Sequence, residues 1–115
     1  MIRKVDHIWN WKDWDISWSL SNNLLNNPKT NVLLIHGFGA SKNHWRNNQK
    51  FLGNYFNCYA IDLLGFGESS QPGATLDYEF PKDNEVKYCF DLWANQITDF
   101  CDEVIKGPVF LIGNS

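Results

Sequence analysis

One arrangement restricts the fold of this chain more than any other: a short, largely apolar run that passes directly into a turn-forming loop, met three times. Val32-Leu33-Leu34-Ile35 runs into His36-Gly37-Phe38-Gly39, and Phe56 to Ile61 runs into Asp62-Leu63-Leu64-Gly65-Phe66-Gly67-Glu68-Ser69. Val109 to Ile112 runs into Gly113-Asn114-Ser115. Continuous apolar runs of this length suit strands covered on both faces in a parallel sheet. Between the first two lies a segment that Ser41 or Asn43 can cap as a helix reaching about Gly53, with Trp45, Leu52 and Phe51 inward and Lys42, Arg46, Asn47 and Lys50 outward. Between the second and third, Trp93, Ile97, Phe100, Cys101 and Val104 form one apolar stripe. That helix is expected from Asn84 or Tyr88 to Ile105, ended by Gly107-Pro108. Strand, helix, strand, helix, strand implies parallel strands joined by crossovers, hence an α/β sheet.

Ahead of this pattern, Trp9, Trp11, Trp14, Ile16, Trp18 and Leu20 alternate on either side of Lys12-Asp13, which predicts an antiparallel β-hairpin with one face packed on the core. Ser21-Asn22-Asn23 and Asn26 to Thr30 read as turn chemistry, and the segment through Gln71-Pro72-Gly73 and Pro81 to Asn84 has no regular period.

The chain of 115 residues is one domain in size, and 43% hydrophobic residues with six Trp give it large apolar surfaces to bury. A net charge of -3 gives no basic field for phosphates, so nucleic acid is not an expected partner. Cys58, Cys89 and Cys101 have no metal-type spacing and read as reduced, mostly buried thiols, and neither metal nor cofactor is expected. No apolar leader core and no run long enough for a membrane span occurs, which makes a soluble, cytoplasmic protein the expectation.

In a parallel α/β sheet, ligands bind at the carboxyl ends of the strands, where the three loops emerge. Gly113-Asn114-Ser115 after a strand is the start of the G-x-S-x-G turn that lifts a serine nucleophile above the sheet, Gly113 relieving crowding there. His36-Gly37-Phe38-Gly39 stands where a backbone N–H, that of Phe38, can bind the oxyanion of a tetrahedral intermediate. His36 has two readings, general base or holder of its loop, and the second fits a strand end beside glycines. His44 reads as a surface or loop-packing residue, and His7 has no chemical context. Asp62 reads as a triad acid or as the carboxylate that ties the Gly65-Phe66-Gly67 loop through its N–H groups, and the latter is preferred. Gly37-Phe38-Gly39 lacks the third glycine of a dinucleotide fingerprint, and no phosphate-loop G-K-[S/T] is present.

Taken together, Leu34 to Ser41, His44-Trp45, Ala60 to Ser69, Leu92 to Ile97 and Phe110 to Ser115 resemble the α/β-hydrolase superfamily over nearly the whole chain. Within it they look most like the pheophytinase-like serine hydrolases of cyanobacteria and plastids. The resemblance implies an antiparallel hairpin followed by three parallel strands with crossover helices, the N-terminal portion of that fold. It implies Ser115 as nucleophile of a Ser–acid–His triad acting on a small ester-like substrate. It also implies an oxyanion hole from Phe38 N–H and the residue after the serine. In the family the acid and histidine follow the serine, so residues 1–115 are expected to be a domain truncated at the nucleophile turn and inactive alone. The competing expectation is a non-catalytic remnant or small-ligand binding module.

Overall fold

The computed structural model describes residues 2–76 and 78–114. Two long strands, β1 (Ile2–Trp11) and β2 (Trp14–Asn23), form the antiparallel hairpin. Lys12 and Asp13 make its turn at φ 50° and 69°, the positive dihedrals that match a two-residue turn to the twist of its strands. The hairpin extends beyond the apolar alternation at both ends. Ser21, Asn22 and Asn23, expected as a turn, continue β2, because Ser21 pairs with Cys58 and the Asn22 carboxamide donates to Asn57 Oδ1 at 3.0 Å.

β3 (Asn31–Ile35) leads through the first glycine loop into a 3₁₀ turn at Lys42–Trp45, then α1 (Arg46–Leu52) and β4 (Asn57–Ile61). Ser41 caps the turn, accepting the Asn43 N–H. The segment without a period contains two two-residue strands, β5 (Gly73–Ala74) and β6 (Glu85–Val86), paired in parallel. α2 (Phe90–Phe100) therefore starts later than the sequence suggested: Asn84 sits at φ 64°, outside helical space, and Cys89 is still extended. A π-helical turn at Cys101–Ile105 closes with Lys106 N–H on the Cys101 carbonyl at 2.8 Å, and β7 (Val109–Gly113) follows.

The five long strands form one sheet in the order β1-β2-β4-β3-β7, antiparallel from β1 to β4 and parallel across β4, β3 and β7. Its two faces differ in kind. On the α2 face, Trp9, Trp11, Ile16, Leu33 and Ile61 pack around the fully buried Phe100. The Phe100 ring meets Trp9 and Trp18 edge-on at 5.4 and 5.5 Å. Edge-to-face pairs at such spacing add to the burial of the rings themselves. The Trp11 indole also donates to Asp99 of α2 at 2.7 Å and the Trp9 indole to Glu103 of the π-helical turn after it at 3.3 Å, tying the hairpin to this end of the helix. On the α1 face, Val32, Leu34, Cys58 and Ala60 pack with Trp45 and Leu52.

Close approach of α1 rests on small residues. Ser19 and Ser21 are buried under it, and a Cβ on Gly53 would stand 2.4 Å from Ser21 Oγ. The buried Gln49 donates to Ser19 Oγ and the Cys58 carbonyl, both at 3.0 Å. Two helix assignments change with this packing: Phe51 points to solvent, and Lys42, expected outside, is buried. Of the three thiols, Cys58 is buried, Cys101 half-buried and Cys89 exposed, contrary to the expectation of mostly buried cysteines; all three are free.

Candidate active site

The loops after β3, β4 and β7 converge at the carboxyl end of the parallel strands. His36 leaves β3 with its imidazole buried: Nε2 accepts the Leu63 N–H at 3.0 Å, and Nδ1 faces the Gly37 carbonyl at 2.8 Å. An acceptor at Nε2 and a donor at Nδ1 define a neutral ring with both nitrogens engaged. In this arrangement His36 joins two loops and has no nitrogen free to take a proton from a nucleophile. The next residues form a tight turn, Ala40 N–H donating to the Gly37 carbonyl at 3.1 Å with Gly39 at φ 79°. Phe38, at its tip, has a side chain 88% exposed and edge-on to Phe66 at 5.3 Å. Among the described residues nothing accepts the Phe38 N–H.

Asp62, at the end of β4, has a fully buried carboxylate. It accepts the Lys42 N–H at 2.7 Å, Lys42 Nζ at 3.1 Å and the Glu68 N–H at 3.0 Å. Gly67 packs against it at φ 57°, where a Cβ would lie 2.4 Å from the carboxylate. Gly65, at φ 92°, leaves room for the Tyr88 ring, 2.6 Å from where its Cβ would be. Lys42 Nζ also reaches Glu68 Oε1 at 2.9 Å. Burial alone would pull the Lys42 ammonium down, but its bonds to Glu68 and Asp62 outweigh this and raise its pKa above 10.5.

The third loop begins at Gly113, which pairs with Ile35; a Cβ on it would meet nothing within 4 Å. The Asn114 N–H donates to the Ile35 carbonyl at 3.1 Å, and its side-chain amide faces His44 Nε2 at 3.0 Å. Asn114 is thus held beside the Phe38 loop. Ser115, the expected nucleophile, lies outside the described residues. His7 stacks on Trp18 at 4.3 Å, on the far side of the sheet order from β7.

A cavity of about 600 Å³ opens beside this junction, lined by Ile35, Phe38, Leu63, Phe66, Trp93 and Asn114 among others. A second, of about 410 Å³, shares Phe38, Phe66 and Trp93 with it. Neither is lined by an Asp, Glu, Lys or Arg among the described residues. Among the same residues no group of three or more His, Cys, Asp or Glu side chains could hold a metal ion, and no helix is long and apolar enough to cross a membrane.

Two supporting residues escaped the sequence reading. Gln96 on α2 is buried, accepting the Leu64 N–H at 2.9 Å and donating to the Asp62 carbonyl at 3.3 Å. Its place three residues after Trp93, beside the apolar stripe, was the available signal. Lys42 gave none, since a lysine between Ser41 and Asn43 reads as solvated.

A family model described as the alpha/beta hydrolase fold matches residues 30–115. The chain belongs to that family. It is 33% identical over 87 residues to the 2-hydroxy-6-oxo-6-(2'-aminophenyl)hexa-2,4-dienoic acid hydrolase of Metapseudomonas resinovorans, covering 73% of this chain and 26% of the relative. It is 30% identical over 103 residues to chloroplastic pheophytinase of Arabidopsis thaliana, covering 73% of this chain and 21% of that protein. Among solved structures, a membrane phospholipase A described as a bacterial virulence factor superposes with a TM-score of 0.76 at 27% identity, over 97% of this chain and 32% of that one. The chain therefore spans only 26% and 21% of the length of these two curated relatives.

Proposed function

We propose that this chain is the nucleophile-bearing N-terminal part of a serine hydrolase that cleaves an ester or a related carbonyl compound. Ser115 attacks the carbonyl carbon, and the oxygen, taking up negative charge, is bound by Phe38 N–H and by the backbone N–H after the serine. The triad acid and histidine come from residues beyond Ser115 in the full-length protein. The observation that carries this reading is the bond from Asn114 N–H to the Ile35 carbonyl, which holds the residue before the serine beside the loop whose Phe38 N–H has no acceptor among the described residues, at the edge of an apolar cavity. The hydrolase relatives support the same reaction class, and a cavity wall without charged side chains favours an uncharged, apolar small-molecule substrate.

A serine hydroxyl is a weak nucleophile without a base, and both His36 nitrogens are already engaged. Residues 1–115 alone are accordingly expected to show no turnover of a p-nitrophenyl acyl ester above a Ser115→Ala control, and the full-length protein to show turnover that this substitution abolishes. Serine-independent turnover in the full-length protein refutes the proposal. A full-length protein that binds apolar ligands and hydrolyses nothing would instead be the non-catalytic binding module.

A further inference from the structure

A backbone N–H stabilises an oxyanion only when it is already fixed where that oxygen will form. The Phe38 loop is held at its base by one backbone turn bond and by the His36 ring, which faces the Gly37 carbonyl and accepts the Leu63 N–H, but its glycine is at positive φ and its phenyl ring lies mostly in solvent. A second anchor lies just downstream. Lys42 donates from its backbone N–H and its Nζ to the two oxygens of the Asp62 carboxylate, and from Nζ again to Glu68 on the opposite loop.

This lysine is out of place for an ordinary helix start. Its side chain is 4% exposed, while its neighbours Asn43 and His44 are in solvent. A buried ion pair is often no more stabilising than well-packed apolar side chains of similar volume, so stability alone is a poor reason for it. Its distinctive effect is geometric. Glu68 follows Phe66 by two residues, and the Phe66 ring packs edge-on to both Phe38 and His36, at 5.3 and 5.5 Å. One cation therefore holds the start of the helix that follows the Phe38 loop and the loop that walls it.

We propose that Lys42 is a positioning residue: its Nζ, bridging Asp62 and Glu68, sets the spacing of the two loops and so the place of the Phe38 N–H. This rests on the serine-hydrolase reading above. The test uses the full-length protein and two probes that react at the serine, an alkyl fluorophosphonate, whose labelling rate is followed, and a p-nitrophenyl acyl ester. Lys42→Met is expected to lower both the labelling rate and kcat by about 10- to 100-fold, with KM changed by no more than about 3-fold. Lys42→Arg should recover most of the loss, and Glu68→Gln should cost a few-fold, roughly 2–5.

A Lys42→Met protein that melts earlier in urea yet keeps its kcat per phosphonate-titrated site would overturn the positioning role while leaving the serine-hydrolase reading intact. Should Lys42→Met fail to fold, Glu68→Gln decides, and an unchanged kcat there overturns the proposal. Labelling that survives Ser115→Ala overturns the hydrolase reading and the positioning role with it.

Discussion

The two sides of the candidate site are built differently. On the side of β3 and β4, the polar groups of His36, Lys42 and Asp62 are buried and bonded, and a Cβ on Gly65 or Gly67 would collide with Tyr88 or Asp62. On the side of β7, the strand is an edge among the described residues: Phe110, Leu111 and Ile112 are exposed, a Cβ on Gly113 would meet nothing within 4 Å, and Asn114 is held by its bond to Ile35 and its contact with His44. The contrast shows that the geometry of the Phe38 loop is set by bonds among loops close in space. The β7 end depends on strand pairing with β3 for its placement among the described residues. A satisfied buried network is rigid, whereas an unpaired apolar strand face specifies little.

The largest effect that sharpens this contrast belongs to Asp62. Asp62→Ala leaves the Lys42 N–H and the Glu68 N–H without their acceptor and the Lys42 ammonium with one partner, and should cost about 3–5 kcal/mol, read from urea unfolding. A cost below about 1 kcal/mol would mean the bonded rim is not what holds the loops. The opposite expectation applies to the edge. In residues 1–115 alone Phe110 is 68% exposed, so there Phe110→Ser should change stability by no more than about 0.5 kcal/mol; a loss above about 2 kcal/mol would show that this face is covered in solution.

A contrast within the β4 region concerns pH. Burial pushes the Cys58 thiol from 9.0 up to about 12, so the neutral thiol is favoured in the folded chain. Its contribution is complete below pH 9.0 and is lost as pH rises through about 12, because the unfolded chain gives up this proton first. The raised Lys42 acts in the same direction above 10.5. Cys58→Ala should therefore flatten the alkaline fall in urea midpoint between about pH 8 and pH 11, and an unchanged slope would contradict the assignment. The exposed Cys89 should react with a thiol reagent in the folded state before Cys58 does.

Much of this architecture can be read from the residues. The apolar runs at Val32 to Ile35 and Val109 to Ile112 and the alternation around Lys12-Asp13 mark strands because burial imposes their periods. The stripe from Trp93 to Val104 locates α2 and the turn after it for the same reason, with Ile97, Phe100, Cys101 and Val104 on the core and Trp93 lining the cavity. What the pattern misses is polar and long-range. Ser21 and Lys42 look solvated, and only the approach of α1 and the distant Asp62 carboxylate bury them. Their partners lie tens of residues away in sequence, and no local period records such a pairing. The short strands β5 and β6 are too brief to have a period at all. At the site, the glycine loops and their strand ends are legible, while the residue that connects them, Lys42, becomes visible only in three dimensions.

The proposed chemistry requires Ser115 to be the nucleophile served by the Phe38 loop. The most direct measurement is peptide mapping of the full-length protein after reaction with a fluorophosphonate. A single adduct on Ser115, formed with loss of fluoride, is expected, and no adduct on the Ser115→Ala protein. A folded protein that stays unlabelled, or carries its adduct on another residue, contradicts this chemistry.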